Sequence, residues 1–472
     1  MMIKSVMKTG LVWFKNDLRL HDNEALCNAI AYCDQLILFF SVEPHLFEQL
    51  DLGFKKAAIN RFKFLEQSVL NLRSKLEAIG GHLIISSESS TKAIPKLVKE
   101  YQVTSIFAEE EYAQEELNIK LKVQLSLPNV EFHFFWGKTL YHINDIPFEI
   151  SEIPLTSKAY RIPTSKKSEP RKTFESLAKI ISHPEVSSTV FPSYNIYGFT
   201  KDAYTRAEPF LEGGEDKALE RLRYYTFESE LLTTYRWSRN KSLGLDYSSK
   251  FSPYLALGCI SPRLIFEAVK DYESKIKKNQ STWWIVFELV WRDYFTFKGM
   301  RMGNAIFSTK GYKDKDLNFE NDDEKFRRWM EGKSGIPFID AHMRQLNETG
   351  YMSNRGRVNC ASYFVRDLNI DWTWGSAYFE SKLIDYDVSA NWMNWHMQAF
   401  EIYYTNPVHQ SLKYNANDYI TKWIPELSSI EDNRIHAPWL FDDFIEALDY
   451  PEPIEVYKKW SRSVNRILKS LE

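Results

Sequence analysis

Five short apolar runs, separated by amphipathic stretches, occupy the first 136 residues and constrain the fold more than any other feature. The runs Leu11–Phe14, Leu36–Phe40, His82–Ile85, Ser105–Phe107 and Val130–Phe135 are predicted strands. The stretches between them, Glu24–Ala31, Lys55–Ile79, Ala93–Tyr101 and Glu111–Val123, have helical spacing. Regular strand–helix alternation favours a doubly wound parallel sheet. No GxGxxG motif follows the first strand, so a dinucleotide site of the Rossmann type is not expected there.

The pattern changes twice beyond this region and divides the chain into three predicted parts. Between residues 137 and 205 no periodic run is sustained and six of the 18 prolines occur, which predicts an interdomain connector. Its basic run is interpreted as a solvated loop that contains Arg161, Lys166, Lys167, Arg171 and Lys172. From residue 206 to 472 helical periodicity dominates. We therefore expect an α/β domain (1–136), a connector (137–205) and an all-α domain (206–472).

Charge, cysteine usage and hydropathy exclude several classes of protein. The formal net charge is −3, which argues against a protein that is basic throughout, although a local basic patch remains compatible with it. The four cysteines form no CxxC pair and have no metal-like spacing with histidine, so neither an iron–sulfur centre nor another metal site is expected. No apolar run approaches about 18 residues and no signal peptide is recognisable, so we expect a cytoplasmic protein without a membrane partner.

Charged and amide side chains cluster among tryptophans between Met352 and His396. The cluster contains Asn354, Arg355, Arg357, Asp385, Asp387 and Asn391. The apolar residues between them recur near helical spacing, which places these polar groups on buried helices. Buried charges need partners because their desolvation costs several kcal/mol. Two interpretations follow: the lining of a polar pocket around a large aromatic ligand, or a salt-bridge network between packed helices.

Two upstream segments also carry candidate binding groups. Hydroxyls, backbone N–H groups and a cation precede a predicted helix at Ser248, Ser249, Lys250, Phe251 and Ser252. This arrangement suits a phosphate or diphosphate, and a serine-rich helix cap explains it equally well. In Thr282–Phe295, Glu288 and Arg292 stand four residues apart among tryptophans. This setting favours buried, paired side chains over a surface ion pair.

These segments resemble the photolyase/cryptochrome family, particularly its cryptochrome-DASH branch. The resemblance rests on WFKNDLRLHDNEAL (Trp13–Leu26), SPYLALGCISPR (Ser252–Arg263), FELVWRDYF (Phe287–Phe295), MSNRGR (Met352–Arg357) and DYDVSANWMNW (Asp385–Trp395). It covers nearly the whole chain. It implies FAD in the helical domain and light-driven repair of cyclobutane pyrimidine dimers by electron transfer from reduced flavin, the activity of a deoxyribodipyrimidine photolyase.

The resemblance assigns expected roles to individual residues. FAD binding is implied for Tyr235, Ser248, Ser249, Lys250, Phe251, Ser252, Glu288, Arg292, Asn354, Arg357, Asp385, Asp387 and Asn391. Contact with the lesion or the DNA is implied for Glu288, Trp291, Asn354, Arg355 and Met397. Trp395 and Trp372 are the implied proximal and middle members of an electron-transfer chain. Phe319 stands where the family has the outer tryptophan, and Trp374 or a surface tyrosine is the expected substitute.

An antenna chromophore such as methenyltetrahydrofolate is implied for the α/β domain. Glu116 falls where folate-binding members have a carboxylate for the pterin ring. Most of the acidic run around it is interpreted as a solvated helix start, favoured by the helix dipole: Glu109, Glu110, Glu111, Glu115 and Glu116.

The predicted partner is damaged DNA, either single-stranded or duplex with a flipped-out dimer, and a monomer is expected. The main alternative is a blue-light photoreceptor of the cryptochrome type, which uses the same flavin pocket but needs no lesion site. A flavin protein with other chemistry, or a nucleic-acid-binding module, is the third possibility. The Asn354–Val358 segment contains no histidine pair, which argues against repair of six-four lesions because that chemistry needs imidazoles.

Overall fold

The N-terminal part of the protein contains a five-stranded sheet. The structure is a computed structural model and describes residues 7–175, 177–401, 404–441 and 448–472. The strands are β1 (Thr9–Phe14), β2 (Gln35–Ser41), β3 (Leu83–Ser86), β4 (Ser105–Glu109) and β5 (Glu131–Phe135). Every neighbouring pair is parallel, and the spatial order is β3-β2-β1-β4-β5. The parallel sheet predicted from the alternation is confirmed, since each predicted strand overlaps an observed one.

Alternate residues of the strands face two different cores. Leu11 and Trp13 of β1 pack into one cluster, whereas Val12 and Phe14 pack into the other. This follows from the two-residue period of a strand, and it explains why β1 is apolar throughout. The helices of this part are α1 (Glu24–Tyr32), α2 (Ile59–Ala78), α3 (Ser90–Tyr101) and α4 (Gln114–Ser126). Ligands of such sheets bind beyond the carboxyl ends of the strands.

The predicted connector contains two helices, so its interpretation as a stretch without periodic structure was wrong. They are α5 (Ser157–Lys167) and α6 (Lys201–Arg206). Pro163 lies inside α5 and concealed it, because proline usually interrupts a helix. The fully buried Tyr160 fixes this helix, with its ring 5.5 Å from that of Tyr294. Arg161 of the basic run therefore lies on a packed helix and not in a solvated loop.

Beyond residue 205, the regular elements of the described chain are helices, which confirms the predicted all-α part. The bounds are α7 (Glu215–Arg223), α8 (Tyr235–Ser238), α9 (Ser252–Ala256), α10 (Pro262–Lys275), α11 (Gln280–Met302), α12 (Asp323–Met330), α13 (Pro337–Thr349), α14 (Asn354–Arg366), α15 (Trp372–Lys382), α16 (Val388–Phe400), α17 (Pro407–Lys413), α18 (Asn417–Trp423) and α19 (Ser461–Lys469). Among the helices of the described residues, none has the length and apolar character needed to cross a membrane.

Helix α11 is the longest element of the helical part and supports the candidate site. Asn279 caps it by accepting hydrogen bonds from the backbone N–H groups of Ser281 (2.8 Å) and Thr282 (3.0 Å). Thr282 accepts one in return from the Asn279 N–H, which completes a capping box. Further along, a Cβ atom at Gly299 would lie 2.4 Å from Ser389 Oγ. Only glycine therefore allows α11 to approach α16 this closely.

Buried polar contacts fix the helical part against the sheet. Asp22 pairs with Arg263 through contacts of 2.7 and 2.9 Å, and both side chains are buried. Asp293 of α11 accepts hydrogen bonds from the backbone N–H groups of Leu140 and Tyr141, each at 2.9 Å. Removing either carboxylate would leave buried donors unpaired, at a cost of about 1–3 kcal/mol. The space between the two parts is thus framed by rigid contacts.

Candidate functional site

The polar residues between Met352 and His396 meet at the ends of α14 and α16. Arg357 donates a hydrogen bond to Asp385 Oδ2 at 2.7 Å, and the Ser252 hydroxyl donates to the same oxygen at 2.7 Å. The other carboxylate oxygen, Asp385 Oδ1, is buried without a hydrogen-bond partner among the described residues. Unpaired buried acceptors are rare and costly, so this oxygen marks a place where a ligand donor fits.

Lys250 lies in the loop before α9 and is almost completely buried, with 2% of its surface exposed. Its ammonium donates to the neutral Ser248 hydroxyl at 2.6 Å and lies 3.2 Å from the centre of the Tyr247 ring. Burial, together with the nearby Arg221 guanidinium, lowers the pKa of Lys250 to about 6. Its φ of +61° is a left-handed conformation that costs a non-glycine residue about 1–3 kcal/mol. A strained, desolvated lysine of this kind is suited to an anionic ligand.

Arg221 of α7 holds this loop in place. Its guanidinium donates to the backbone carbonyls of Ser248 at 3.1 Å and Ser249 at 3.0 Å, and to Asp246 Oδ1 at 2.8 Å. These contacts fix the backbone on both sides of the Ser248 and Ser249 pair. Sequence reasoning missed Arg221, since nothing in the sequence around it distinguishes it from an exposed helical arginine.

Arg292, Asp387 and Asn391 form a second group beside the first. Arg292 Nη2 lies 3.4 Å from Asp387 Oδ2, and its guanidinium also donates to the Lys138 carbonyl. Asp387 Oδ1 caps α16 by accepting from the Ala390 N–H at 2.9 Å. Asn391 Nδ2 donates to the carbonyl (3.0 Å) and hydroxyl (3.1 Å) of Ser376 on α15. The orientation of each of these three predicted residues is therefore fixed by neighbouring helices.

Glu288 lies in a wall of aromatic rings on α11. Its Oε1 accepts hydrogen bonds from Trp284 Nε1 at 2.9 Å and from Arg239 at 3.3 Å. The side chain keeps 38% of its surface exposed, yet burial among the surrounding rings raises its pKa. Glu288 is paired as expected, with Arg239 as its cation, but the expectation that it is buried was wrong, because it lies in a wall that is open to solvent. Burial and the Glu288 carboxylate together raise the pKa of Tyr235, which lies nearby.

Trp395 and Trp372 occupy neighbouring helices and have different aromatic neighbours. Trp395 packs over Gly375, where a Cβ atom would lie 2.3 Å from the indole. Its ring lies 5.0 Å from Phe379 and 6.2 Å from Trp329, between centroids. Trp372 is fully buried and lies 6.0 Å from the His396 ring. Both tryptophans are thus rigidly packed beside the polar cluster.

Both expected substitutes for the outer tryptophan have structural candidates. Trp329 continues to Phe326 at 6.3 Å, and Phe326 to the half-buried Trp374 at 5.3 Å, between ring centroids. On the other side, Tyr312 stacks on His396 with the centroids 3.9 Å apart. The structure therefore offers one aromatic route from Trp395 to Trp374 and another from Trp372 to Tyr312.

Three predicted residues lie at the edge of the pocket. Asn354 is the first residue of α14 and is exposed, so the prediction that it is buried was wrong. Its N-cap Ser353 and the preceding Met352 are completely buried, so at this end of α14 the Asn354 side chain is exposed while the residues before it are not. Arg355 donates to Asn240 Oδ1 at 2.8 Å and lies 4.9 Å from the Tyr414 ring centre. Met397 is partly buried and packs against the core.

A cavity of about 650 Å³ separates the sheet from the helical part. Arg292 and Asp387 of the predicted flavin site line it, as does Glu116 of the predicted antenna site. Burial, followed by repulsion from the neighbouring Glu111, raises the pKa of Glu116 to about 7. Tyr235, Lys250 and Asp385 of the predicted flavin site lie outside its lining.

The interpretation of the acidic run as a solvated helix start was wrong for Glu109 and Glu111. Helix α4 begins only at Gln114, and both residues are buried. Lys138 pairs with Glu109 at 2.8 Å and with Glu111 at 3.1 Å. Strand β4 carries Glu109 to its carboxyl end, where the fold brings it to Lys138. That long-range contact cannot be inferred from local sequence.

The polar pocket fits the FAD implied by the sequence. The buried Lys250, next to the Ser248 hydroxyl, matches the charge of a diphosphate, which interacts most strongly with a cation removed from water. The unpartnered Asp385 Oδ1 can accept a hydrogen bond from a ring or ribose donor. Tyr235 supplies a buried aromatic surface. The residues present are thus those that the cofactor requires.

Comparisons with known proteins agree with this geometry. Residues 10–179 match the family model described as DNA photolyase, and residues 284–470 match the model described as the FAD binding domain of DNA photolyase. The chain is 38% identical over 475 residues to the cryptochrome DASH of Synechocystis sp., a match that covers 96% of each chain. It is 38% identical over 474 residues to the cryptochrome DASH of Xenopus laevis, covering 96% of this chain and 90% of that one.

The fold is also similar to a solved structure. The crystal structure of the Synechocystis sp. cryptochrome superimposes with a TM-score of 0.91 at 37% sequence identity. The match covers 99% of this chain and 100% of that one. The overall fold is therefore shared over nearly the full length of both chains.

Proposed function

This chain belongs to the photolyase/cryptochrome family, and from that membership we propose that it is a light-driven DNA-repair enzyme. The proposed substrate is a cyclobutane pyrimidine dimer, in a single strand or flipped out of a duplex. The proposed activity is that of a deoxyribodipyrimidine photolyase. The observation that carries the proposal is Glu288, a carboxyl group held by Trp284 and Arg239 on the aromatic wall that contains Trp291.

Glu288 and Trp291 form the proposed lesion-binding pair. Trp291 offers an apolar ring against which the dimer stacks, and ring contacts of 5.4 Å to Phe295 and 5.7 Å to Tyr294 hold it in place. Glu288 supplies a hydrogen bond to the base edges, and its raised pKa increases the fraction of the neutral form that can donate to a base carbonyl. Stacking with edge recognition is how proteins hold flipped bases.

The helical part carries the FAD-binding domain of this family. FAD, when bound, supplies the electron donor that light excites. We assign Lys250 and Ser248 to its diphosphate, and the Arg357–Asp385 pair to its ring system. Asn391, oriented by Ser376, is the residue that we assign to a ring nitrogen of the flavin. In this scheme the protein contributes position, electrostatics and exclusion of water, and no residue acts as a nucleophile or proton shuttle.

We further propose that electrons reach the pocket through Trp395 from Trp374, with Trp329 as the intermediate redox-active ring and the redox-inactive Phe326 ring only as packing through which the electron tunnels between Trp374 and Trp329. Consecutive ring centroids on this route are 6.2, 6.3 and 5.3 Å apart. Photoreduction measured by flavin absorbance should slow in Trp374→Phe and remain unchanged in Tyr312→Phe. The opposite pattern would identify Tyr312, acting through Trp372, as the outer electron donor.

The cavity between the two parts is the proposed antenna site. Glu116, whose pKa of about 7 keeps part of the population neutral near neutral pH, is the candidate partner for a pterin such as methenyltetrahydrofolate. The proposed domain limits are residues 1–136, 137–205 and 206–472, with α5 inside the connector and α6 across its C-terminal limit. A monomer and a cytoplasmic location stay predictions.

The test is blue-light repair of an oligonucleotide that contains one thymine dimer, in single-stranded and duplex form, with the FAD reduced beforehand. Repair of both forms would support a general photolyase, and repair confined to the single strand would support a single-strand preference. No repair of either form, with FAD bound and photoreducible, would overturn the enzyme proposal in favour of a photoreceptor.

A pair of variants connects this assay to the site. Glu288→Ala removes one pocket hydrogen bond worth about 1–3 kcal/mol, so repair should fall roughly 5- to 100-fold. The control is Glu212→Ala, because this side chain is 62% exposed and pairs with Lys217 on the surface. Equal repair by the two variants would exclude Glu288 from lesion binding.

A further inference from the structure

The residues assigned to the cofactor have very little surface in contact with solvent. Lys250 is 2% exposed, Asp385 is 6% exposed and Tyr235 is 9% exposed. A ligand as large as FAD can reach these three side chains only if a segment that covers them moves. Segments that move for a ligand come from the least stable parts of a protein, which have few buried contacts and an exposed backbone. The segment that covers this pocket should therefore be recognisable by its sparse contacts.

Residues 240–245 have these properties, and we call them the flap. The flap joins α8 to the loop that carries Lys250. Gly244 at its tip has a φ of +86°, and no atom of the described chain lies within 4 Å of the position where a Cβ atom would stand. The residues on either side, Leu243 and Leu245, are 42% and 41% exposed. The tip of the flap is thus held only through the residues that flank it.

Both ends of the flap are fixed to the rest of the helical part. At the α8 end, Arg239 donates to Glu288 Oε1 at 3.3 Å. At the other end, Asp246 accepts one hydrogen bond from Arg221 at 2.8 Å and another from the Tyr224 hydroxyl at 3.0 Å. A motion of the flap would therefore hinge between two anchored ends.

The middle of the flap is tied down at one residue, Ser242. Its hydroxyl oxygen lies 3.0 Å from His342 Nε2 and 2.9 Å from Ser353 Oγ. His342 Nδ1 lies 2.7 Å from the Phe338 carbonyl, which can only accept, so Nδ1 carries the proton and Nε2 accepts from Ser242. Ser353 Oγ accepts from the Gly356 N–H at 3.1 Å, which leaves its own proton for Ser242 Oγ. We call the hydrogen-bonded residues Ser242, His342 and Ser353 the latch.

The side of the latch opposite the flap is rigid. His342 is fully buried, with its ring centroid 4.5 Å from that of Tyr419. Burial lowers the pKa of His342 to about 4, so the ring is neutral near pH 7 and keeps its acceptor nitrogen. Ser353 is the buried N-cap of α14, and its carbonyl accepts from the Arg357 N–H at 3.0 Å. The latch thus connects the flap to the helix end that carries the Arg357–Asp385 pair.

We propose that the flap is a gate for FAD, which opens when the latch breaks and closes over the pocket when the latch forms. The proposal rests on the proposed placement of FAD at Lys250 and Asp385. It goes beyond the proposed function because it requires neither light nor DNA. The latch joins residues of the protein only, so it is the same with and without FAD. Breaking it should therefore speed entry and release equally and leave the affinity unchanged.

The first test is the rate of FAD exchange in Ser242→Ala. This variant loses two hydrogen bonds, so FAD release and FAD uptake should both become about 5- to 100-fold faster. Release is followed as free FAD fluorescence in ultrafiltrates of the diluted FAD-loaded protein, and uptake by stopped flow with the FAD-free protein. The Kd should change by less than about twofold. The control is Ser274→Ala, an exposed serine on α10 whose hydroxyl donates to the Asp271 carbonyl at 2.8 Å, and both of its rates should equal those of the wild type.

The second test closes the latch covalently. In Ser242→Cys/Ser353→Cys the thiols replace hydroxyls that are 2.9 Å apart, so oxidation should join them. The oxidised variant should release FAD at least about tenfold more slowly than its own reduced form, and a thiol reductant should restore the faster rate. The wild type treated with the same oxidant is the control, because its four cysteines are free and should leave the release rate unchanged. Equal FAD absorbance per protein shows that the variants are folded.

Three results would overturn the gate. They are unchanged rates in Ser242→Ala, equal release from the oxidised and reduced double-cysteine variant, and faster release with unchanged uptake in Ser242→Ala. The last result would show that Ser242 stabilises bound FAD directly. If no dimer is repaired under light but the exchange rates follow the latch, the enzyme proposal fails and the gate stands. If dimers are repaired and FAD exchange is independent of the latch, only the gate is overturned.

Discussion

Two buried lysines, one in each half of the molecule, have opposite surroundings. Lys138, at the edge of the sheet, contacts the carboxylates of Glu109 and Glu111 at 2.8 and 3.1 Å. Although burial lowers its pKa, these two carboxylates raise that pKa above the usual range. Lys250, in the helical part, donates to the neutral hydroxyl of Ser248, and its pKa is lowered to about 6. The first lysine is neutralised within the chain, and the second is not.

Two carboxylates, Glu111 in the sheet half and Asp385 in the helical half, differ in the same way as the two lysines. Although burial raises the pKa of Glu111, the charges of Lys138 and Lys15 lower it overall. Asp385 has Arg357 and Ser252 on one oxygen, while its other oxygen is buried without a partner in the described chain. A charge completed by the protein stabilises the fold. A buried charge without a full set of partners in the protein indicates where a ligand binds. Burying such a charge costs free energy that no contact within the protein offsets.

The largest expected effect is that of removing Lys138. Lys138→Met leaves Glu109 and Glu111 buried without their shared cation, which should lower the free energy of unfolding by about 3–5 kcal/mol. Lys250→Met is the matched control, because it removes an equally buried lysine that has no such pair and should change stability by less than about 1 kcal/mol. Urea unfolding of the FAD-free proteins measures both. Similar losses would show that the two lysines do not differ as described.

The next effect concerns the incomplete carboxylate. Asp385→Asn removes the negative charge beside Arg357 and changes the acceptor available to the flavin, so FAD should bind about 30-fold more weakly or worse. This magnitude corresponds to about 2 kcal/mol, the lower end for breaking a buried charge pair. Asp371→Asn is the control, since Asp371 caps α15 and asparagine caps equally well. Flavin fluorescence during titration gives both affinities, and equal values would place Asp385 outside the binding site.

Lys250 should make FAD binding depend on pH. In the FAD-free protein its pKa of about 6 leaves it neutral at pH 8, whereas an adjacent diphosphate favours the ammonium. Binding should therefore take up close to one proton at pH 8, and affinity should fall as pH rises above 6. Calorimetry in two buffers of different ionisation enthalpy measures this uptake. Lys250→Met should show none, and uptake that persists in this variant would have another source.

The lowered pKa of Lys250 has a related consequence for folding. The unfolded chain holds this proton up to a pKa near 10.5, so between pH 6 and 10.5 the unfolded state binds more protons than the folded one. The contribution of Lys250 to the stability of the FAD-free protein should thus become more favourable as pH rises through this window. The stability of the FAD-free protein and its affinity for FAD should therefore change in opposite directions as pH rises above 6.

Local sequence patterns were sufficient for the strands of the sheet. The strands were recognisable because a sheet buried on both faces requires continuous apolar runs such as Leu36–Phe40. Helix α5 was missed because Pro163 and its polar neighbours obscure the period. The pairing of Glu109 with Lys138 was missed for another reason: it depends on β4 and the chain after β5 meeting at the carboxyl edge of the sheet.

The candidate site was predictable to the same degree. Asp385 and Arg357 were found because charged residues in an apolar helical pattern need partners. Arg221 and Arg239 were missed, because each acts through a contact across the fold that no local pattern records: Arg221 with the Ser248 loop, and Arg239 with Glu288. Sequence motifs identified the polar residues of the candidate pocket better than the residues that hold them in place.

The smallest expected effect concerns the contribution of one carboxylate in the sheet half, Glu116, to stability. Glu116 lines the cavity close to Lys138 and Glu111, yet burial and the charge of Glu111 raise its pKa to about 7 instead of lowering it. A raised pKa means that its contribution to stability is fully present below pH 4.5 and is lost as pH rises through 7.

Glu116→Gln, which resembles the neutral form, should remove this loss and stabilise the protein at pH 8 by up to about 1 kcal/mol. Urea unfolding at pH 5 and pH 8 measures the difference, with the exposed Glu115→Gln as control. Stabilisation at pH 8 but not at pH 5 would show that Glu116 lacks the cationic partner that Glu109 and Glu111, which line the same cavity, find in Lys138. Equal effects at both pH values would show that Glu116 titrates normally. The difference between charges with and without a partner in the protein would then not extend to the sheet half.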